Sequence, residues 1–67
     1  MILGTFLQQF SADQKIIIKN ESGQSFESIA GYFYSCLCSI KGAAAKGDFL
    51  IITLSEIDYI INASSFV

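Results

Sequence analysis

Two cysteines one residue apart, Cys36-Leu37-Cys38, are the side chains of this sequence best suited to covalent or metal chemistry. A disulfide across a single residue is strained. Two thiolates supply half of a tetrahedral zinc site, and the chain holds no histidine and no further cysteine to complete it. The pair therefore reads as two reduced, half-buried thiols. That implies a reducing compartment, and the cytoplasm is the expected one. The missing histidine also removes the commonest general base, so neither a Ser-His-Asp nor a Cys-His site can be assembled. Asp13, Glu21, Glu27, Asp48, Glu56 and Asp58 are spread singly. A hard-metal site needs several converging carboxylates, and Glu56 and Asp58 would point in different directions on a helix. Gly23, Gly42 and Gly47 follow no phosphate-binding pattern, and turn duty explains them. These residues predict no enzyme: no catalytic residue, no metal and no cofactor.

One cluster leans towards binding instead. Tyr32, Phe33 and Tyr34 are consecutive, and three consecutive side chains cannot all face one core. Exposed aromatics are favoured interface anchors, because they bury large area at little rotamer entropy. The three are the candidate protein interface. The plainer reading puts two of them in the core and leaves one Tyr covering an edge with its hydroxyl in water. Composition supports a partner. The chain is 67 residues long and 52% hydrophobic, with six Phe and three Tyr. So small a core cannot hide that much apolar surface, and the excess is expected to form an exposed patch. Self-association, as a homodimer, covers it most simply. Nucleic acid is not an expected partner: the net charge is −2, and the four basic residues, Lys15, Lys19, Lys41 and Lys46, are few and scattered. No membrane association is expected either. The longest nearly uncharged run, Ser28 to Ile40, falls short of the ~20 apolar residues of a span. Met1-Ile2-Leu3 lacks the basic flank of a signal peptide.

The elements that must position these groups can be read from periodicity. Ile2, Leu3, Phe6, Leu7 and Phe10 lie at helical spacing, with Thr5, Gln8 and Gln9 opposite. This predicts an amphipathic helix ending near Phe10. Lys15 to Lys19 carries three consecutive isoleucines, which favour a pleat. Asn20 to Gln24 supplies turn chemistry, so Ser25 to Ile29 is predicted as the return strand of a hairpin. Residues 25–41 admit two readings. Phe26, Ile29, Ala30, Phe33, Leu37 and Ile40 fit one helix face, capped by Ser25 and closed by Gly42. The extended reading has the return strand, an aromatic loop over Gly31 to Ser35 and a third strand over Leu37 to Lys41, and it is preferred. Gly42 to Asp48 reads as a loop, because glycines flank the alanines. Phe49 to Leu54 is a strand apolar on both faces, hence central or covered on both sides. Ser55, with Asp58 at N3, opens a final helix. Ile57, Ile60 and Ile61 share one face of it, with Asp58 and Asn62 outward. A strand over Tyr59 to Asn62 is the alternative, and Ser64 to Val67 is expected to fray.

Leu3-Gly-Thr-Phe-Leu-Gln-Gln-Phe10, Asp13, Lys15-Ile-Ile-Ile-Lys19, the turn with Glu21 and Gly23, Ile29-Ala-Gly-Tyr-Phe33, Ser39-Ile40 and Asp48-Phe-Leu-Ile-Ile-Thr-Leu54 together resemble small uncharacterised proteins of Gram-positive prophages and mobile elements. The likeness spans Leu3 to about Leu54, and the alanine-rich loop and the tail from Ser55 depart from it. It implies a short helix followed by an antiparallel sheet, no enzymatic activity, and an accessory role on a protein partner. The expected fold is α+β: one domain over residues 1–67, with a short N-terminal helix on an antiparallel sheet of about four strands and a short C-terminal helix or strand. The expected function is a non-enzymatic protein-binding accessory factor, in one form an inhibitor that occludes a host defence protein. A structural subunit of a larger assembly and a small DNA-binding regulator are the alternatives.

Overall fold

The computed structural model describes residues 1–64, and the fraying expected from Ser64 to Val67 lies, beyond Ser64, outside the described residues. Strands β1 (Lys15–Lys19) and β2 (Ser25–Ile29) form the first hairpin, antiparallel, with Ile17 opposite Glu27. Both strands have the bounds read from the sequence. The turn is built by Asn20. Its Oδ1 accepts the N–H groups of Ser22 and Gln24 at 3.1 and 2.8 Å, and Gly23 takes φ 97°.

Strands β3 (Gly42–Lys46) and β4 (Phe49–Thr53) form a second antiparallel hairpin. Its two-residue loop puts Gly47 at φ 61°, the first central position of a type II′ turn. β1 and β4 then pair in parallel, Ile16 opposite Leu50 and Ile18 opposite Ile52. The strand order is β2-β1-β4-β3. The sheet is therefore mixed rather than wholly antiparallel. The cause is the run of apolar residues in both β1 and β4: each is the strand best suited to the interior, so the two take the central places side by side. The chain between the hairpins must cross one sheet face to allow this.

That crossing corrects the reading of the middle. Neither a long helix over residues 25–41 nor a third strand over Leu37 to Lys41 forms. A single 3₁₀ turn, Ala30–Phe33, follows β2, and Leu37 to Lys41 makes only an isolated bridge, Ser39 to Ile2. The third strand is the alanine segment read as a loop. Alanine has little strand preference, but the Gly47 turn and the strong β4 beside it impose the pairing.

Helix α1 (Leu3–Leu7) is shorter than its apolar pattern, and Thr5, Gln8 and Gln9 face water as read. Its first turn has no side-chain cap. The crossing segment takes that part: Cys38 and Cys36 carbonyls accept the N–H groups of Leu3 and Gly4, both at 2.9 Å, and Ile40 N–H donates to Met1 O at 2.8 Å. The approach is close enough to require glycine at position 4. A Cβ there would collide with Tyr34 O and lie 2.8 Å from Cys36 O.

Helix α2 (Glu56–Ser64) closes the fold. The core lies between one sheet face and the helices: Leu3 and Leu7 of α1, Ile16 and Ile18 of β1, Ile52 of β4, then Ala30, Phe33, Leu54 and Tyr59. Among the described residues, the other sheet face carries no helix. Ile17, Ile51 and Phe49 are half-buried on it, with Lys15 Nζ 5.9 Å from the Phe49 ring centre. No helix among the described residues is long and apolar enough to cross a membrane.

Candidate functional site

The three consecutive aromatics separate as their spacing requires. Phe33 is buried, its ring 6.3 Å from that of Phe26. Tyr34 is half-buried and donates its hydroxyl to Phe10 O at 2.7 Å, while its own carbonyl accepts Gln8 Nε2 at 3.1 Å. Only Tyr32 faces outward, 70% exposed. The structure thus divides Tyr32, Phe33 and Tyr34: one surface aromatic standing on two structural ones.

A larger apolar surface lies on α2. Ser55 Oγ caps the helix, accepting Asp58 N–H at 3.2 Å, the capping contact read from the sequence. The side chains of α2 that turn to the rest of the fold are Glu56, Tyr59, Asn62 and Ala63. Glu56 clamps the β1–β2 turn: it accepts Ser22 N–H at 3.1 Å, Ser22 Oγ at 2.7 Å and Asn20 Nδ2 at 3.0 Å. Tyr59 fills the core against Phe26, ring centres 5.5 Å apart. Asn62, expected outward, turns in to the two cysteines. The aliphatic face is consequently presented to solvent. Ile57, Ile60 and Ile61 are 71%, 59% and 62% exposed. Their i, i+3, i+4 spacing makes one stripe. The helix is amphipathic in the inverted sense, polar and aromatic side inward and aliphatic side out. Its inner contacts lie far away in sequence, on the turn at Asn20 and the crossing segment, and no local pattern announces them.

The cysteines are free thiols. Their sulfurs lie 3.1 Å apart. Burial pushes the Cys38 thiol up to about 12, and the neighbouring Cys36 adds to the rise; Asn62, donating to the sulfur, opposes it. Leu37 between them is exposed. Among the described residues no three metal-ligating side chains converge, and no pocket opens. The acidic residues are dispersed as read, except that Glu56 has the structural task above.

Sequence reasoning missed Asn20, the most deeply buried polar residue, at 2% exposure. Its position in a turn was legible, but its tie to Glu56 was not. It also missed that strand alternation puts Lys15, Lys19 and Lys46 on the same sheet face, Lys15 and Lys19 diagonal to Glu27 and Lys46 at the opposite edge.

Comparison with protein-family models, curated proteins and solved structures finds no match to this chain.

Proposed function

We propose that this chain is a non-enzymatic protein-binding accessory factor. It pairs with a second copy through the outer face of α2 and offers the Tyr32 surface to a different protein. The inverted helix carries this reading. Burying an isoleucine contributes about 1.5–3 kcal/mol, so a helix that turns three of them to water forgoes several kcal/mol as a lone chain. A second α2 laid against the first recovers it, with the same stripe on both sides of a two-fold axis. Three side chains cover much less than the ~800 Å² per partner of a standard interface, so the dimer is expected to be concentration-dependent. The prophage resemblance gives the accessory role its form, a small protein that occludes a host protein.

Light scattering on the purified chain across a wide concentration range tests the pairing. The mass should rise from monomer to dimer, and Ile61→Asp should remain monomeric at every concentration. A wild-type chain that stays monomeric at the highest concentration defeats the reading. A ring or filament would transfer it to a structural subunit. The lysines on the sheet face make heparin the check on the DNA-binding alternative. With Glu27 diagonal to two of them and no arginine in the chain, elution at or below physiological salt is expected.

A further inference from the structure

Cys36 and Cys38 stand two residues apart on an extended segment, which puts both side chains on one side. Their sulfurs lie 3.1 Å apart, so a disulfide bond of about 2.05 Å requires them to close by a further ångström or so and the segment between them to take up the strain of a one-residue ring. Asn62 holds them in place. Cys36 Sγ donates to Asn62 Oδ1 at 3.5 Å, and Asn62 Nδ2 donates to Cys38 Sγ at 3.6 Å. The Cys38 proton is left to close the ring onto Cys36. Both residues are half-buried.

We propose that Cys36 and Cys38 are a redox site, at which a low-molecular-weight disulfide of the glutathione class is reduced while an intramolecular Cys36–Cys38 disulfide forms, loosening the outer end of α2. Cys36 attacks first, because burial keeps the proton on Cys38. The Cys36 thiolate displaces one thiolate from the small disulfide and forms a mixed disulfide. Cys38 then gives its proton to that departing thiolate and attacks Cys36 Sγ, and the second small thiolate leaves, taking up from water the proton that Cys36 released there in forming its thiolate. The two protein thiols lose two electrons and two protons. The small disulfide takes up both and becomes two thiols. A ring across one residue is strained, which places it among the easily reduced, labile disulfides rather than the permanent ones. Closure removes the thiol hydrogen that Cys36 donates to Asn62. Asn62 keeps its bond to Asp58 O, 2.8 Å, inside the helix, so the helix survives while its tie to the crossing segment is lost. The thiol exchange requires no second copy docked on α2.

The test uses the full chain, incubated with oxidised glutathione against a graded excess of reduced glutathione. It is then quenched in acid, blocked with N-ethylmaleimide and weighed intact. The expected product is lighter than the reduced chain by two hydrogens, carries no maleimide, and returns to the reduced mass when reduced glutathione is raised. Cys38→Ala, lacking the resolving thiol, should accumulate one glutathionyl group on Cys36. Cys36→Ala should take one up several-fold more slowly. A wild-type chain that keeps two blockable thiols, or that ends as a doubly glutathionylated or cross-linked species, overturns the proposal. Hydrogen exchange reads the second half. Amides of residues 59–63 should exchange several-fold faster in the oxidised chain, and unchanged exchange overturns the coupling to α2.

Discussion

Gly4 shows how a single residue can be set by a backbone it never meets in sequence. A glycine inside a helix ordinarily costs about 1 kcal/mol relative to alanine, so Gly4→Ala should stabilise α1. Here the Tyr34 and Cys36 carbonyls occupy the place of the missing Cβ. Both belong to the crossing segment: the Cys36 carbonyl cannot withdraw without losing the bond from Gly4 N–H, nor the Tyr34 carbonyl without losing the bond from Gln8 Nε2. Gly4→Ala is therefore expected to destabilise the fold, by roughly 2 kcal/mol or more in urea unfolding, the size of other core overpacking effects. A more stable variant would contradict the cap. Asn20 and Ser28 make a second pair with opposite signs. Asn20 spends both ends of its amide on the turn and on Glu56, so Asn20→Ala should cost about 2–3 kcal/mol. Ser28 Oγ is buried and has no hydrogen-bond partner among the described residues, so Ser28→Ala should be neutral or stabilising in the same assay. The turn at residues 20–24 was legible because Asn, Gly and Ser are turn formers. The use of Asn20 as a hub was not, since Glu56 is brought to it only by the finished fold.

Elements were legible wherever a local pattern and the tertiary context agree. Three isoleucines in a row, followed by turn residues, locate β1 and β2 to the residue. The doubly apolar Phe49–Thr53 locates β4 at the centre of the sheet. Reading failed where context overrides pattern. Ala43, Ala44 and Ala45 form a strand because β4 needs a neighbour and Gly47 turns the chain at the right place. The importance of that turn can be separated from the general flexibility of glycine. Gly47 and Gly42 bracket the same strand, and neither has a heavy atom within 4 Å of where a Cβ would stand. They differ in backbone: Gly47 has φ 61° and Gly42 is not in the left-handed region. Gly47→Ala is expected to cost about 1 kcal/mol or more, and Gly42→Ala to be neutral or to stabilise by a few tenths through the unfolded chain. Thermal melts of the two variants check this. Equal effects would mean that the hairpin is not held by its turn.

At the scale of the whole molecule, the question is where so apolar a chain keeps its surplus. The sequence pattern places Ile57, Ile60 and Ile61 on one helix face with Asp58 and Asn62 outward, which would turn the isoleucine face in. The structure turns it out, because Glu56 and Tyr59 are claimed by the β1–β2 turn and by Phe26. If this is the cause, α2 is fixed by its less aliphatic side, and its isoleucines contribute little to the stability of a single chain. The variant Ile57→Glu, Ile60→Lys, Ile61→Glu should then unfold within about 0.5 kcal/mol of the wild type when both are compared as monomers at low concentration, as exposed positions do. Tyr59→Ala, on the opposite side of the same helix, should cost about 3 kcal/mol or more by emptying its place beside Phe26. The two measurements must diverge. A triple variant as damaged as Tyr59→Ala would mean that the isoleucines pack within the chain, and the surface on which a second copy is expected would not exist.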